Sequence, residues 1–192
     1  MILENMTARL VVEEFNAGKQ WLLGKVEAIA KKARKKLGNA KGKWVRKDFT
    51  DPQKNLWRVL LYATRKRYHI LPYLEYNDNR GKMRVVLQTS GGECIQIFTG
   101  HFFRRFRERA DFENLTGNVI DDIFLFLTAN SRHAPTLSQA NIVQVEFPTG
   151  LGLGYSYGES VYLIKTFITH DMMRADQAEI SERIQEELGE AC

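Results

Sequence analysis

Between residues 6 and 37 the apolar positions Leu10, Val11, Phe15, Leu22, Val26, Ile29, Ala33 and Leu37 recur at helical spacing. Asn16-Ala17-Gly18 interrupts the pattern, which predicts two helices or one bent helix. Gly38 and Asn39 then supply a C-terminal cap. Residues 39–51 read as a polar connector with Trp44 and Phe49 set among lysines. Pro52, followed by Leu56, Trp57, Leu60, Leu61 and Ala63, predicts a short helix ending near Thr64. Residues 68–76 and 83–87 are rich in aromatic and β-branched side chains and flank turn chemistry at 77–81, which predicts a hairpin. Pro72 inside the first of these strands argues for an edge position.

A third strand is expected over residues 93–98, and a helix opens behind it at Thr99-Gly100-His101. At about 100° per residue, Phe102, Phe103, Phe106 and Ala110 share one side of that helix while His101, Arg104, Arg105 and Glu108 share the other. Residues 118–127 form a long apolar run that suits a buried strand as well as a helix, and Asp121-Asp122 near its start favours helix. Residues 130–140, with Arg132, His133 and Pro135, read as a polar loop that could face a substrate. Strands are then expected at 142–147, 151–157 and 161–170, and an acidic amphipathic helix from Asp176. The glycines at 150, 152 and 154 fall between strands, so bulges or close backbone approach account for them better than a phosphate loop. Strict alternation in the last strand puts Tyr162, Ile164, Thr166, Ile168 and His170 on one face. The fold class is therefore α+β: an antiparallel sheet with a β-α-α-β-β-β core, an N-terminal helical extension and a C-terminal helix. Residues 1–64 would form the basic extension, packed on an α+β domain of residues 65–192.

Composition narrows the class without naming a function. The 192 residues are 44% hydrophobic and 27% charged, which excludes disordered and fibrous chains. Cys94 and Cys192 give neither a disulfide framework nor a zinc-knuckle spacing, so a reducing compartment is expected, with Cys94 as a small core residue. No apolar run approaches the 18 residues of a membrane span, and the first residues lack a secretory pattern. The expectation is a soluble, cytoplasmic protein with no membrane partner.

Charge changes the picture more. From Lys19 to Lys47 eleven basic residues, Lys31, Lys32, Lys35 and Lys36 among them, face the single acid Glu27. From Asp171 to Glu190 seven acids face Arg174 and Arg183. A basic segment of this density attracts polyanions, RNA or another nucleic acid first, by counterion release. The alternative is a solvated helix face that neutralises the acidic tail, within one chain or between copies in a homo-oligomer.

The histidines, His69, His101, His133 and His170, have no short metal-binding spacing, and no metal or other cofactor is expected. The motif His101-x-x-x-Arg105-x-x-x-Arg109, the order of elements over residues 93–170 and the polar residues of the last strand resemble the RelE-like and barnase/EndoU/colicin superfamily of metal-independent ribonucleases, many of them toxins. That resemblance implies general acid–base cleavage of RNA, with His101, Arg105, Thr166 and His170 catalytic, and a possible protein inhibitor as partner. A histidine with a pKa of about 6.5 can take the 2′-hydroxyl proton while guanidinium groups stabilise the phosphate. Arg104, Arg109, Arg132, Lys165 and the lysines at 31, 32, 35 and 36 would bind the nucleic acid. On their own terms the same residues also fit a plainer role: His101 as a helix cap, Arg104 paired with Glu108, and the basic arm as the working part of a non-catalytic nucleic-acid- or protein-binding module. Convergence of His101 with His170 would favour the enzyme. Their separation on opposite faces of the sheet would remove it.

Overall fold

Val11, Phe15, Leu22, Val26 and Ala30 are all buried, and the helix that buries them runs unbroken over Ala8–Leu37 (α1). The expected break at Gly18 is instead a contact point. A Cβ there would stand 2.6 Å from Trp57 Cζ2 and 2.9 Å from Asp51 Oδ2. The glycine thus lets α1 lie directly on the sheet, where Phe15 meets the Trp57 ring at 5.1 Å.

The computed structural model describes residues 8–37, 43–63, 68–78, 80–88, 94–110, 119–130, 134–137, 141–156 and 160–173. The chain forms two units, Met1–Leu87 and Gln88–Cys192. In the first, α1 packs on an antiparallel meander of β1 (Lys43–Thr50), β2 (Leu56–Ala63), β3 (Tyr68–Asn77) and β4 (Met83–Gln88). Residue 64, where a boundary was expected, falls inside the first unit, whose sheet β3 and β4 extend beyond β1 and β2.

The helix expected after Pro52 is strand β2. Asp51 holds the preceding turn by accepting from the Asn55 amide (2.8 Å), the Asn55 side chain (2.8 Å) and Trp57 Nε1 (2.9 Å). That turn directs Leu56–Ala63 back along β1, where it pairs with β1 on one side and β3 on the other. Nor is Pro72 on an edge: β3 lies between β2 and β4. Its tolerance there follows from the β4 ladder, which starts only at Tyr73.

The second unit is a mixed sheet in the order β5 (Ile95–Thr99), β9 (Val161–Ile168), β8 (Gly150–Ser156), β7 (Ile142–Phe147), β6 (Ala134–Leu137). β5 runs parallel to β9 and every other pairing is antiparallel, which corrects the expectation of a purely antiparallel sheet. The connection between the parallel pair runs through α2 (Gly100–Arg109) and α3 (Val119–Ala129) and then β6, β7 and β8. Four strands follow these helices instead of three, since β6 occupies part of the stretch expected to be a loop. Both helices cover one sheet face, through Phe98, Phe102, Phe103, Phe106, Phe126, Phe147 and Phe167. Cys94, half-buried, donates from Sγ to the Tyr162 hydroxyl at 3.6 Å. The α+β class therefore stands. Among the described residues no helix is long and apolar enough to cross a membrane. The C-terminal helix expected from Asp176 lies outside the described residues.

Candidate functional site

Thr99 joins the helix to the sheet. Its Oγ1 accepts from the Phe102 amide at 3.2 Å, capping α2, and donates to the Lys165 carbonyl at 3.1 Å. The residue it grips is irregular. In the pairing of β8 with β9, Leu153 faces Thr166 and Gly154 faces Ile164, so Lys165 is an extra residue, a β-bulge. Gly154 makes room for it: a Cβ there would lie 1.9 Å from the Leu163 carbonyl oxygen.

One inserted residue reverses the alternation that the sequence implies. Ile164 and Phe167, three apart, both face the helices: the Ile164 side chain lies beside the position of Gly152 together with Phe102, and Phe167 meets Phe102 and Phe106 at 5.9 and 5.2 Å. Leu163, Lys165 and Thr166 consequently face away from α2. His170, in the short 3-10 turn after β9, belongs to that far side too, where its Nδ1 lies 3.8 Å from Glu146 Oε1. Glu146 alternates with Val145 and Phe147, and Phe147 is part of the phenylalanine cluster under the helices.

On the helix side, burial of Phe102, Phe103 and Phe106 presents His101 and Arg104 to solvent, with Arg105 half-exposed. Arg104 Nη2 lies 2.7 Å from His101 Nδ1. A guanidinium only donates, so Nδ1 accepts and the ring proton sits on Nε2. Burial, then the positive charges of Arg104 and Arg105, hold the His101 pKa below its ordinary value. Arg105 donates to Glu108 Oε2 at 2.7 Å, and Arg104 Nε lies 3.8 Å from the same carboxylate. The hydrogen bond from Arg105, ahead of the surrounding charges, holds the Glu108 carboxyl low. Arg107 turns inward to buried Asp122 of α3 at 3.2 Å. Arg109 donates to the Phe167 carbonyl and so ties the end of α2 to β9.

The residues expected to act together therefore fall into two groups. His101, Arg104 and Arg105 share one surface of α2 with Glu108, whose carboxylate faces both arginines. Thr166, Lys165 and His170 lie across the sheet from it, so the pair of proton carriers His101 and His170 is not assembled. Arg109 is a structural tie. In α1, Lys31 and Lys32 are exposed, and Lys31 pairs with Glu27 at 2.8 Å. The side chains of Lys35, Lys36 and His69 and the whole of Arg132 and His133 lie outside the described residues. Among the described residues no three His, Cys, Asp or Glu side chains are grouped to hold a metal ion.

The far face also carries an aromatic that strand alternation alone does not single out. Tyr155 of β8 is 49% exposed, and Lys165 Nζ stands 4.5 Å over its ring. The available signal was the glycine spacing of β8, which marks close approach of the neighbouring strand but not the residue where that strand bulges. No protein-family model, curated protein or solved structure matches the chain.

Proposed function

We propose that this protein binds nucleic acid without cleaving it, and that the outer face of α2 makes the contact. The observation that carries the reading is the fixed display of Arg104 and Arg105 on a helix anchored by three buried phenylalanines. Guanidinium groups held at set positions can fork onto phosphate oxygens with little side-chain ordering left to do. His101, neutral with its proton on Nε2, offers one more donor beside them. Its Nδ1 lone pair is engaged by Arg104, so the ring is poorly placed to take a proton from a ribose hydroxyl. The basic segment from Lys19 to Lys47 adds attraction that is independent of sequence.

The test is fluorescence anisotropy with a labelled RNA strand and a labelled DNA duplex over a series of salt concentrations, with RNA integrity followed on a gel. Binding is expected to weaken as salt rises. Replacing both Arg104 and Arg105 by alanine removes two phosphate contacts, which flattens the slope of log K against log salt by about 1.8 on the duplex. Absence of binding at low salt rejects the proposal. Cleavage by the wild type, lost in His101→Ala, replaces it with a hydrolytic enzyme.

A further inference from the structure

We infer that the exposed end of the second unit's sheet at Tyr155 and Lys165, on the side turned away from α2, is a stacking site for single-stranded nucleic acid, with Tyr155 receiving a base and Lys165 the adjoining phosphate; Gln144, Glu146 and Leu151 on the same side are buried. This deepens the nucleic-acid reading above and rests on it.

The platform follows from the bulge. A regular β9 would alternate, and could not put both Lys165 and Thr166 on the same side as Leu163. With the extra residue inserted, the lysine stem rises next to Tyr155, which pairs with Leu163 on one flank and Ile142 on the other. Tyr155 and Ile142 are 49% and 44% exposed, and both are among the large apolar side chains that the described residues leave open to solvent. An aromatic ring supported by a sheet and flanked by aliphatic groups matches the flat face of a nucleobase, because every base offers a π-surface whatever its sequence.

The cation decides between this occupant and an apolar peptide. Lys165 Nζ rests over the ring at 4.5 Å. An ammonium in contact with water is held there weakly, whereas a stacked base covers the whole ring, so the base displaces it. Displacement leaves the ammonium on a flexible stem at the edge of the ring, where the backbone phosphate of the stacked nucleotide would lie. An apolar peptide would instead leave that charge unanswered. A duplex keeps its base faces stacked on one another and cannot use Tyr155, so the platform selects single strands while α2 meets phosphates of either form.

The experiment compares wild type, Tyr155→Ala, Tyr155→Phe and Lys165→Ala for binding to labelled single-stranded oligouridine RNA and to labelled duplex DNA, with a thermal melt of each variant by circular dichroism. Tyr155→Ala is expected to weaken single-strand binding about ten- to a hundredfold and to leave duplex binding unchanged. Tyr155→Phe should keep the affinity, since stacking needs the ring and not the hydroxyl. Lys165→Ala should lower the single-strand salt slope by about 0.7, one phosphate contact. If the wild type binds single strands and Tyr155→Ala binds them equally well, the platform is wrong and the reading of α2 survives. If the wild type binds neither nucleic acid, both fall. A change of oligomeric size in Tyr155→Ala, with single-strand affinity intact, would overturn the platform in favour of a contact between copies of the chain.

Discussion

Replacing Phe102 by alanine should destabilise the second unit by about 3–5 kcal/mol, a large share of what holds a domain of this size together. Phe102 is fully buried. Its ring meets Phe98 and Phe126 at 4.9 Å, Phe103 at 5.4 Å, Phe167 at 5.9 Å and Phe147 at 6.1 Å, all in edge-on arrangements. Truncation therefore removes contacts with β5, α3, β7 and β9 together. The hole cannot close cheaply, because the neighbour beneath it on β8 is Gly152, which has no side chain to move in, and the surrounding rings fix one another. Phe102→Leu fills most of the volume and should cost clearly less. The measurement is urea denaturation followed by far-UV circular dichroism. Trp21, Trp44 and Trp57 all belong to the first unit, so tryptophan fluorescence would report the wrong half of the chain. An unchanged midpoint for Phe102→Ala would mean that the phenylalanine cluster is not the core of this unit.

That cluster is legible in the sequence. The spacing of Phe102, Phe103 and Phe106 predicted which side of α2 is buried, and the exposure of His101 and Arg104 followed from the same periodicity. Asp121-Asp122 correctly favoured a helix over a strand for α3, although Asp122 serves there as the buried partner of Arg107. Leu56–Ala63 forms a strand where a helix is expected, because its apolar residues, interrupted only by Arg58, satisfy helical and extended spacing alike. What decided between them was pairing with β1 and β3, a property of distant segments. Gly18 shows the same ambiguity, since a glycine that breaks a helix and one that lets a helix touch a tryptophan look identical in sequence. The candidate site failed at a finer step. A one-residue change of register sends every later side chain to the other face, and nothing in residues 161–170 announces that Lys165 is extra. The separation of His101 from Thr166 and His170 therefore hangs on a single bulge.

In the first unit the largest electrostatic effect should come from Arg58. Its Nε donates to Glu75 Oε1 and its Nη1 to Asp48 Oδ2, both at 2.6 Å, which ties three strands together across β2. The two carboxylates are not equivalent. The Asp48 side chain is 46% exposed and the Glu75 side chain 12%. Losing the guanidinium returns Asp48 largely to water at little cost, but strands Glu75 as a nearly buried charge. Tyr73 pairs directly with Arg58 and is held far above the ordinary phenol pKa, first by burial and then by the Glu75 charge, so it stays a neutral phenol and adds no second anion beside Glu75. Arg58→Ala is accordingly expected to lower stability by about 3 kcal/mol, read from the urea midpoint of the tryptophan signal, with Trp57 next in sequence as a local reporter. The double variant Arg58→Met with Glu75→Leu removes both charges and keeps apolar volume, so it should recover most of that loss. Equal destabilisation of the single and double variants would assign the effect to lost packing of the arginine stem instead of an unpaired carboxylate.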